Sequence, residues 1–256
     1  MKLGIVGYGK MGRLDESLAR EQGMEVAQVV DPCASSSAVT ARDVDEHVLE
    51  TCDVLVEFSN PDAIFAHLAF YAAHPCRVVV GTTGWNERMD EVEELMASSA
   101  SSIIYSGNYS LGVAVFLRLV GMASRLLDAV GGYDAGVMEM HHRMKADAPS
   151  GTALMVASEI ASNCRQNQLV TELPSGGRGK DDLQVSSLRV GTLCGTHTAI
   201  FDSDADTLEL THRARTRGGF AKGALMAARW IMDQKPGLYT LQDLVGGLFE
   251  NGTREV

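Results

Sequence analysis

The sequence lacks paired cysteines, an excess of positive charge and any long uncharged apolar run. Its five cysteines are scattered and include no C-x-x-C pair. This argues against a cysteine-based zinc site or a disulfide framework and fits free thiols in a reducing compartment. The 33 acidic residues outnumber the 22 lysines and arginines, which gives a net charge of −11. So acidic a chain is not expected to bind nucleic acid or an anionic membrane.

The longest apolar run, residues 113–130, contains Arg118, Arg125 and Asp128. It therefore predicts a buried helix and not a membrane span. The chain opens directly on an apolar strand pattern, so we expect no signal peptide. Together these features predict a cytoplasmic protein with no membrane, nucleic-acid or metal partner.

Short apolar runs alternate with helical patterns in the first half of the chain. Such runs, bounded mostly by turn residues, are typical of parallel strands that are buried on both faces. They occupy residues 3–6, 26–30, 54–58, 78–80 and 103–105. Helices are predicted between these strands, for example at residues 87–99. The alternation of strands and helices predicts a doubly wound α/β domain.

The pattern changes after about Gly112. A long helix is followed by strand-like segments whose partial alternation predicts a more open, antiparallel sheet with one face on helices. These segments are residues 136–140, 184–190, 196–201 and 207–211. The chain returns to helix over residues 220–234, and the pattern from Thr240 to Asp243 predicts the capping box of a last helix.

A glycine-rich turn predicts a dinucleotide site near the N-terminus. Gly7, Gly9 and Gly12 follow the first strand and open a helix, and Asp31 lies 19 residues beyond Gly12, after the second strand. The glycines permit a tight turn and a close backbone approach to a pyrophosphate, while the acid accepts from a ribose hydroxyl. The alternative is a tight strand–helix turn that binds nothing.

The same region bears on the choice of cofactor. A carboxylate at Asp31 repels the 2′-phosphate of NADPH, and Pro32 follows it where a phosphate-binding enzyme can place arginine. NADH is therefore the expected cofactor. Lys10 in the loop offers a cation to a 2′-phosphate, so use of NADPH stays open.

Residues 139–153 concentrate basic and hydroxyl side chains in an otherwise acidic protein. If residues 137–145 are extended, alternate side chains share one face of a strand. Pro149 would end the strand, and a Ser-Gly-Thr turn at residues 150–152 would open a helix whose N-terminus suits a carboxylate. The side chains sharing the face would be Glu139, His141, Arg143 and Lys145.

These residues favour proton transfer to a bound anion. His141 is the candidate general acid, because histidine titrates near neutral pH. Lys145 would supply a positive charge for a carboxylate or for the charge that develops after hydride transfer. The alternative for His141 is a hydrogen-bonded structural histidine, while Arg143 and Asp147 could pair with each other or with the backbone.

At these residues the chain resembles the dihydrodipicolinate reductase family. The family hallmark is close to E-x-H-H-x-x-K-x-D-x-P-S-G-T-A, and residues 139–153 match it at every defined position. The resemblance runs almost from end to end through further matching stretches. These are residues 7–12, 57–61, 81–84 and 108–110, His197, residues 211–213, Arg217 and residues 220–224.

The resemblance implies NAD(P)H-dependent reduction of 4-hydroxy-tetrahydrodipicolinate to tetrahydrodipicolinate, a step of lysine and diaminopimelate biosynthesis. His141 corresponds to the proposed acid, and Lys145 to its companion proton donor or carboxylate anchor. The residues that match the shell around the small dicarboxylate substrate are His142, Ser150, Gly151, Thr152 and Arg217. Those that match the cofactor site are Gly7, Gly9, Lys10, Met11, Gly12, Asp31, Phe58, Gly81, Thr83, Ser106, Asn108 and Tyr109.

The implied fold is a Rossmann-like parallel-sheet domain with an inserted α+β domain built on a mixed sheet. The first would span residues 1–111 and be completed by residues 218–256. The second, residues 112–217, would bind the substrate and build a homotetramer. The chain departs from the usual family pattern at Ser106-Gly107, Val190 and Thr196, and none of these changes removes a proposed catalytic group.

The sequence leaves two other functions open. A reductase with the same plan could act on another imine or small dicarboxylate. A non-catalytic descendant could bind the nucleotide without turnover, although retention of His141, Lys145 and the Ser-Gly-Thr turn favours an enzyme.

Overall fold

The computed structural model describes residues 1–173 and 175–252, without the side chains of residue 86 and residues 248–252. The chain forms two compact units. One consists of Met1–Leu111 and the chain from Gly218 onward, and the other is Gly112–Arg217. The last four residues of the predicted first domain lie outside the described residues.

The first unit is built on a six-stranded sheet. Its strands are β1 (Lys2–Val6), β2 (Glu25–Val30), β3 (Val54–Glu57), β4 (Arg77–Val80), β5 (Ser102–Tyr105) and β11 (Gly237–Thr240). They lie in the order β11-β5-β4-β3-β1-β2, and every neighbouring pair is parallel. The five predicted strands and the Rossmann-like architecture are therefore confirmed.

Helices supply the rest of this unit and bury the central strands on both faces. They are α1 (Lys10–Glu21), α2 (Glu46–Thr51), α3 (Pro61–Ala73), α4 (Met89–Ala97), α7 (Gly218–Trp230) and α8 (Leu241–Gly252). The helix predicted over residues 220–234 ends at Trp230, and β11 follows it unpredicted. β11 is half-buried and contains only two apolar residues, Leu238 and Tyr239, so it lacks the continuous apolar run of the other strands. The predicted cap of α8 is confirmed, since Thr240 N–H donates to Asp243 Oδ2 at 2.6 Å.

The second unit packs two helices against one face of a five-stranded mixed sheet. The helices are α5 (Leu111–Val130) and α6 (Gly151–Ala161), and the strands are β6 (Asp134–His141), β7 (Gln168–Val170), β8 (Asp182–Arg189), β9 (Thr196–Asp202) and β10 (Thr207–Arg213). The order is β10-β9-β6-β8-β7. β9 is antiparallel to both of its neighbours, β6 and β10, whereas the pairs β6–β8 and β8–β7 are parallel. The antiparallel expectation is therefore wrong for the pairing of β6 with β8, because the chain crosses over through α6 after β6. β7 was not predicted.

α5 is buried along one side only. Phe116 and Val120 pack into the core of the second unit, whereas Leu126 and Val130 are 64% and 75% exposed. The expectation of a buried helix is therefore wrong for half of its surface, because the sheet covers one side. Among the described residues, no helix is long and apolar enough to cross a membrane.

β6 ends at His141, which confirms the strand predicted at residues 136–140, but the chain is not extended through residue 145. The pairing of β6 with β8 stops at the His141–Arg189 pair, and a turn follows in which Lys145 N–H donates to the His142 carbonyl at 3.1 Å. Arg143 and Lys145 therefore leave the strand, and Pro149 is not what ends it. Only Glu139 and His141 keep the predicted common face.

Candidate active site

The loops after β1 to β5 share one edge of the first sheet. Parallel strands point their carboxyl ends the same way, and α/β sheets bind ligands at that edge. The predicted cofactor residues all follow these strands. They are Gly7, Gly9, Lys10, Met11 and Gly12 after β1, Asp31 after β2, Phe58 after β3, Gly81 and Thr83 after β4, and Ser106, Asn108 and Tyr109 after β5.

The three loop glycines meet different steric demands. Gly7 has φ of +88°, and a Cβ there would lie 2.4 Å from the carbonyl oxygen of Phe58. A Cβ on Gly12 would lie 2.1 Å from the Gly7 carbonyl oxygen, so only glycine lets α1 approach the loop so closely. At Gly9, no described atom lies within 4 Å of a Cβ position. Gly9 therefore places no side chain in front of the first N–H groups of α1, as a pyrophosphate site requires.

The Asp31 carboxylate ties the turn after β2 to the glycine loop. Oδ2 accepts from Tyr8 N–H at 2.7 Å, and Oδ1 accepts from the N–H groups of Cys33 and Ala34 at 2.8 and 2.7 Å. Burial alone would raise the pKa of Asp31, but these donors and the Arg42 charge hold it below its usual value. A carboxylate has about four lone-pair sites, so a ribose hydroxyl still finds an acceptor.

Arg42 brings a positive charge to the same place. Its Nη1 donates to the carbonyl oxygens of Asp31, Pro32 and Ala34 at 3.3, 3.2 and 3.1 Å. The sequence pattern missed this residue because it lies far beyond the position where a phosphate-binding arginine is expected. Asp31 and Arg42 together present opposite charges at the end of β2.

A cavity of about 510 Å³ opens beside the glycine loop, with a volume usual for small-molecule sites. Gly7, Gly9, Asp31 and Phe58 line it. Among the lining residues that the sequence analysis did not single out are Arg42, Asp43 and His67.

His67 bridges two acidic groups at the wall of this cavity. Its Nδ1 lies 3.1 Å from Glu57 Oε2, and its Nε2 lies 3.5 Å from Asp43 Oδ1. The hydrogen bond to Glu57, with the charges of both acids, raises the pKa of His67 although burial opposes it. The cavity wall therefore carries a histidine that binds a proton more readily than an ordinary histidine does.

The loops after β4 and β5 pack closely. A Cβ on Gly81 would lie 2.0 Å from Phe58 Cε1, so glycine makes room for that ring, and a Cβ on Gly107 would lie 3.5 Å from the Thr83 methyl. Ser106 Oγ donates to the Asn108 carbonyl at 2.9 Å and closes the turn between them.

Tyr109 has a structural part in this region. Its ring is 1% exposed, and its hydroxyl lies 3.0 and 2.8 Å from the carbonyl oxygens of Val80 and Ile104. Only its backbone is left for the predicted cofactor contact.

In the second unit, a buried pair of Glu139 and His141 lies at the end of β6. Glu139 is fully buried and His141 is 7% exposed. His141 Nδ1 donates to Glu139 Oε2. The other carboxylate oxygen, Oε1, accepts from Arg189 Nη2 at 2.7 Å and from Ser150 N–H at 3.3 Å.

The surroundings shift both titrating groups. Burial alone would raise the pKa of Glu139, but hydrogen bonds from Arg189, Ser187 and His141 hold it below its usual value. Burial lowers the pKa of His141, as do the charges of Lys145 and Arg189, and together they outweigh the opposing effect of Glu139. A lowered pKa makes protonated His141 a stronger proton donor.

His197 on β9 extends this cluster to α6. Its ring centroid lies 5.1 Å from that of His141, and its Nε2 lies 3.1 Å from Ser150 Oγ. Ser150 caps α6 by accepting from Ala153 N–H at 3.2 Å. Gly151 and Thr152 form the first turn of α6, so the predicted helix start is confirmed.

The remaining predicted substrate residues lie around the cluster. Lys145 Nζ forms an ion pair with Asp147 at 2.7 and 2.8 Å, so Asp147 has a partner that the sequence analysis did not suggest. His142 is half-buried in the turn after β6. Arg217 is exposed after β10, and within the described residues no hydrogen bond joins it to the cluster.

Glu139, His141 and His197 also offer three ligand atoms within 4.8 Å of one another. Both Glu139 oxygens are already hydrogen-bonded, one to His141 and one to Arg189. The guanidinium supplies the positive charge that a buried carboxylate needs. These hydrogen bonds and the guanidinium charge account for the buried carboxylate without a metal ion.

Sequence reasoning did not assign parts to Glu139, Arg189 and His197. A contact between Glu139 and His141 could have been predicted, because alternate residues of a strand share one face. The other two come from distant strands, and only strand pairing brings them together: Arg189 lies opposite His141, and His197 opposite Glu139.

A parallel sheet with a glycine-rich loop and a buried histidine–carboxylate cluster in one chain are features of the pyridine-nucleotide-dependent oxidoreductases. Family profiles specify it further. The profile "Dihydrodipicolinate reductase, N-terminus" matches residues 1–109, and "Dihydrodipicolinate reductase, C-terminus" matches residues 112–245. The chain belongs to the dihydrodipicolinate reductase family.

Individual proteins of the family are similar to the chain over nearly its whole length. The chain is 35% identical over 267 residues to the 4-hydroxy-tetrahydrodipicolinate reductase of Psychrobacter arcticus, covering 96% of this chain and 95% of that protein. It is 38% identical over 258 residues to that of Campylobacter fetus subsp. fetus, covering 96% and 99%. The fold is similar to a dipicolinate-bound dihydrodipicolinate reductase from Paenisporosarcina sp. TG-14, with a TM-score of 0.79, 23% identity and coverage of 95% and 99%.

Proposed function

We propose that this protein reduces 4-hydroxy-tetrahydrodipicolinate to tetrahydrodipicolinate with a nicotinamide nucleotide, a step of lysine and diaminopimelate biosynthesis. One observation carries the proposal: the hallmark residues 139–153 fold into a single cluster that joins His141, Glu139 and the helix-capping Ser150. Relatives that match nearly the whole chain carry the name of this reductase.

The reaction consumes a hydride and a proton and releases water from the hydroxylated substrate. The nicotinamide nucleotide supplies the hydride when it is bound at the edge of the first sheet. His141 supplies the proton as general acid, and its lowered pKa favours release of that proton. Its burial keeps the donor away from bulk water.

Two substrate carboxylates explain why basic side chains and N–H donors gather in a protein with a net charge of −11. Ser150, Gly151 and Thr152 present the N-terminus of α6 to one carboxylate. Lys145 adds a positive charge that it shares with Asp147. His142 and Arg217 complete the proposed substrate shell.

NADH is the preferred cofactor in this proposal, and NADPH is a second one. Asp31 keeps an acceptor for the ribose and repels a 2′-phosphate, whereas Arg42 and Lys10 offer it a cation. The glycine loop, Met11 and Phe58 would hold the adenosine and pyrophosphate. Residues along the same sheet edge would hold the nicotinamide half, namely Gly81, Thr83, Ser106, Asn108 and Tyr109.

The first unit is the proposed cofactor domain, and the second is the proposed substrate and assembly domain. In the second, Met138 and Leu188 turn to the outer face of the sheet and are 38% and 50% exposed. Apolar side chains exposed together are typical of an interface, which supports a homotetramer built on this face. The five free cysteines support a reducing, cytoplasmic location.

NADH oxidation by the purified protein tests the function. The substrate would be generated in situ from pyruvate and aspartate semialdehyde by the preceding synthase. We expect turnover that disappears when the synthase is omitted, and a repeat with NADPH measures the cofactor preference. Nucleotide binding without synthase-dependent turnover would overturn the proposal in favour of a non-catalytic protein or another substrate.

A further inference from the structure

We propose that Glu139 is a positioning residue that holds His141 with Nε2 as the proton-donating nitrogen, and that Gly195 keeps the space at that nitrogen open. The inference rests on the proposed reductase function and deepens it. It concerns two residues, Glu139 and Gly195, to which the proposed function gives no part in proton transfer.

The hydrogen bond between His141 and Glu139 determines which nitrogen can react. An ionised carboxylate only accepts, so His141 Nδ1 carries the hydrogen that points at Glu139 Oε2. Nε2 is then the nitrogen that gains and loses the second proton. In the transfer, the Nε2–H bond breaks and its electron pair stays on Nε2, while the reduced ring supplies the pair for the new C–H bond.

Glu139 is held in place from its other side. It is fully buried, and an unpaired carboxylate in such a place is costly. Arg189 Nη2 lies 2.7 Å from Oε1 and 2.5 Å from the Asp147 carbonyl oxygen. The same guanidinium therefore keeps Glu139 ionised and ties it to the turn that carries Lys145.

Gly195 borders the opposite nitrogen. A Cβ at residue 195 would lie 2.9 Å from His141 Nε2 and 3.3 Å from Cδ2. Gly195 also has φ of +150°, and its carbonyl accepts from Ala214 N–H at 2.9 Å, which holds the loop against the ring. With glycine, residue 195 places no side chain against Nε2, whereas a methyl group there would crowd the reacting atom.

The charged groups around His141 come from several elements. Glu139 on its own strand favours the protonated ring, while Arg189 on β8 and Lys145 in the following turn oppose it. His197 on β9 is neutral near neutral pH, because burial and the charge of His141 lower its pKa to about 4. The cap of α6 adds the uncharged Ser150. Glu139 is thus the acid in direct contact with the ring.

Glu139→Gln tests the first part of the inference. The amide keeps the shape and removes the charge, so the pKa of His141 should fall and the decline of kcat with rising pH should move to lower pH by about one unit or more. At a fixed pH, kcat should fall by about 10–100-fold with the Kd for NADH unchanged. Glu172→Gln, at an exposed position, is the matched control.

Gly195→Ala tests the second part. We expect kcat to fall by about tenfold or more, as displacement of a reacting group implies, with NADH binding unchanged. Gly177→Ala is the control, because Gly177 has φ of +86° but no described atom within 4 Å of a Cβ position. It therefore carries backbone strain without crowding a histidine, and it should keep wild-type kcat.

A pH titration of His141 by ¹⁵N NMR separates this inference from the reductase proposal. We expect Nδ1–H in the neutral ring and a lower pKa in Glu139→Gln. An Nε2–H tautomer, or the same pKa in a folded Glu139→Gln protein, would overturn the positioning part. If the wild-type protein shows no synthase-dependent turnover but the titration behaves as expected, the reductase proposal fails and the positioning of His141 stands.

Discussion

His197 Nε2 lies 3.1 Å from Ser150 Oγ, so a histidine of β9 supports the residue that caps α6. Both side chains are buried, at 5% and 2% exposure. The contact joins the sheet of the second unit to the helix whose N-terminus belongs to the proposed substrate site. Protonation of His197 would place a charge in this buried contact.

Acid should therefore destabilise the protein through His197. Burial, with the charge of His141, lowers its pKa from 6.5 to about 4. Between these values the unfolded chain binds the proton more readily, so stability is lost as pH falls from about 6.5 toward 4, by about 3 kcal/mol in all. Urea unfolding across this window measures the loss. His197→Gln should show a smaller slope, and exposed His47→Gln should keep it; equal slopes in both would refute the prediction.

Asp15 predicts the opposite pH dependence. It is fully buried on α1, and neither carboxyl oxygen has a hydrogen-bond partner among the described residues. Burial raises its pKa from 3.8 to about 7. The folded protein therefore binds the proton more readily, and the free energy of unfolding falls as pH rises from 3.8 through about 7, by about 4 kcal/mol at most.

Asp15→Asn should remove this dependence. The variant cannot ionise at this position, so above about pH 7 it should unfold at a higher urea concentration than the wild type. The difference should shrink as the pH is lowered. Asp204→Asn, at an exposed position, should match the wild type throughout. A constant difference at every pH would show that Asp15 does not titrate in this range.

His141→Gln should separate chemistry from cofactor binding. Loss of the proton donor should lower kcat by about 10²–10⁴-fold. The Kd for NADH should change little, because the glycine loop and Asp31 belong to the other unit. Stopped-flow turnover and nucleotide titration measure the two quantities. An unchanged kcat would remove His141 from the mechanism.

Asp31 and Arg42 should control cofactor preference in opposite directions. Asp31→Ala should weaken NADH more than NADPH, because the ribose acceptor and the repulsion of the 2′-phosphate are lost together. Asp31 also accepts three backbone N–H groups, so both nucleotides should bind more weakly and the ratio of the two Kd values is the quantity to compare. Arg42→Gln should weaken NADPH more than NADH. Equal effects on both nucleotides in either variant would contradict the assignment.

Much of the fold was predictable because the signals are local. Strands β1 to β5 are continuous apolar runs. The spacing of Gly7, Gly9 and Gly12 between a strand and a helix is typical of a dinucleotide-binding turn. The sequence patterns did not predict features whose local signal is weak or whose position depends on neighbouring strands. β11 has only two apolar residues, Leu238 and Tyr239, and β6 ends at His141 because its pairing with β8 ends there.

The sequence by itself determined the family, the parallel-sheet architecture and the start of α6 at Ser150, and it singled out His141 as the candidate proton donor. Each depends on residue types at fixed spacing within one segment. Tertiary structure alone decided that Arg189 and His197 join Glu139 and His141, and that Arg42 lies beside Asp31. It also decided that Asp15 is buried without a partner. These contacts join residues from separate elements, and strand register and packing, which bring distant segments together, determine them.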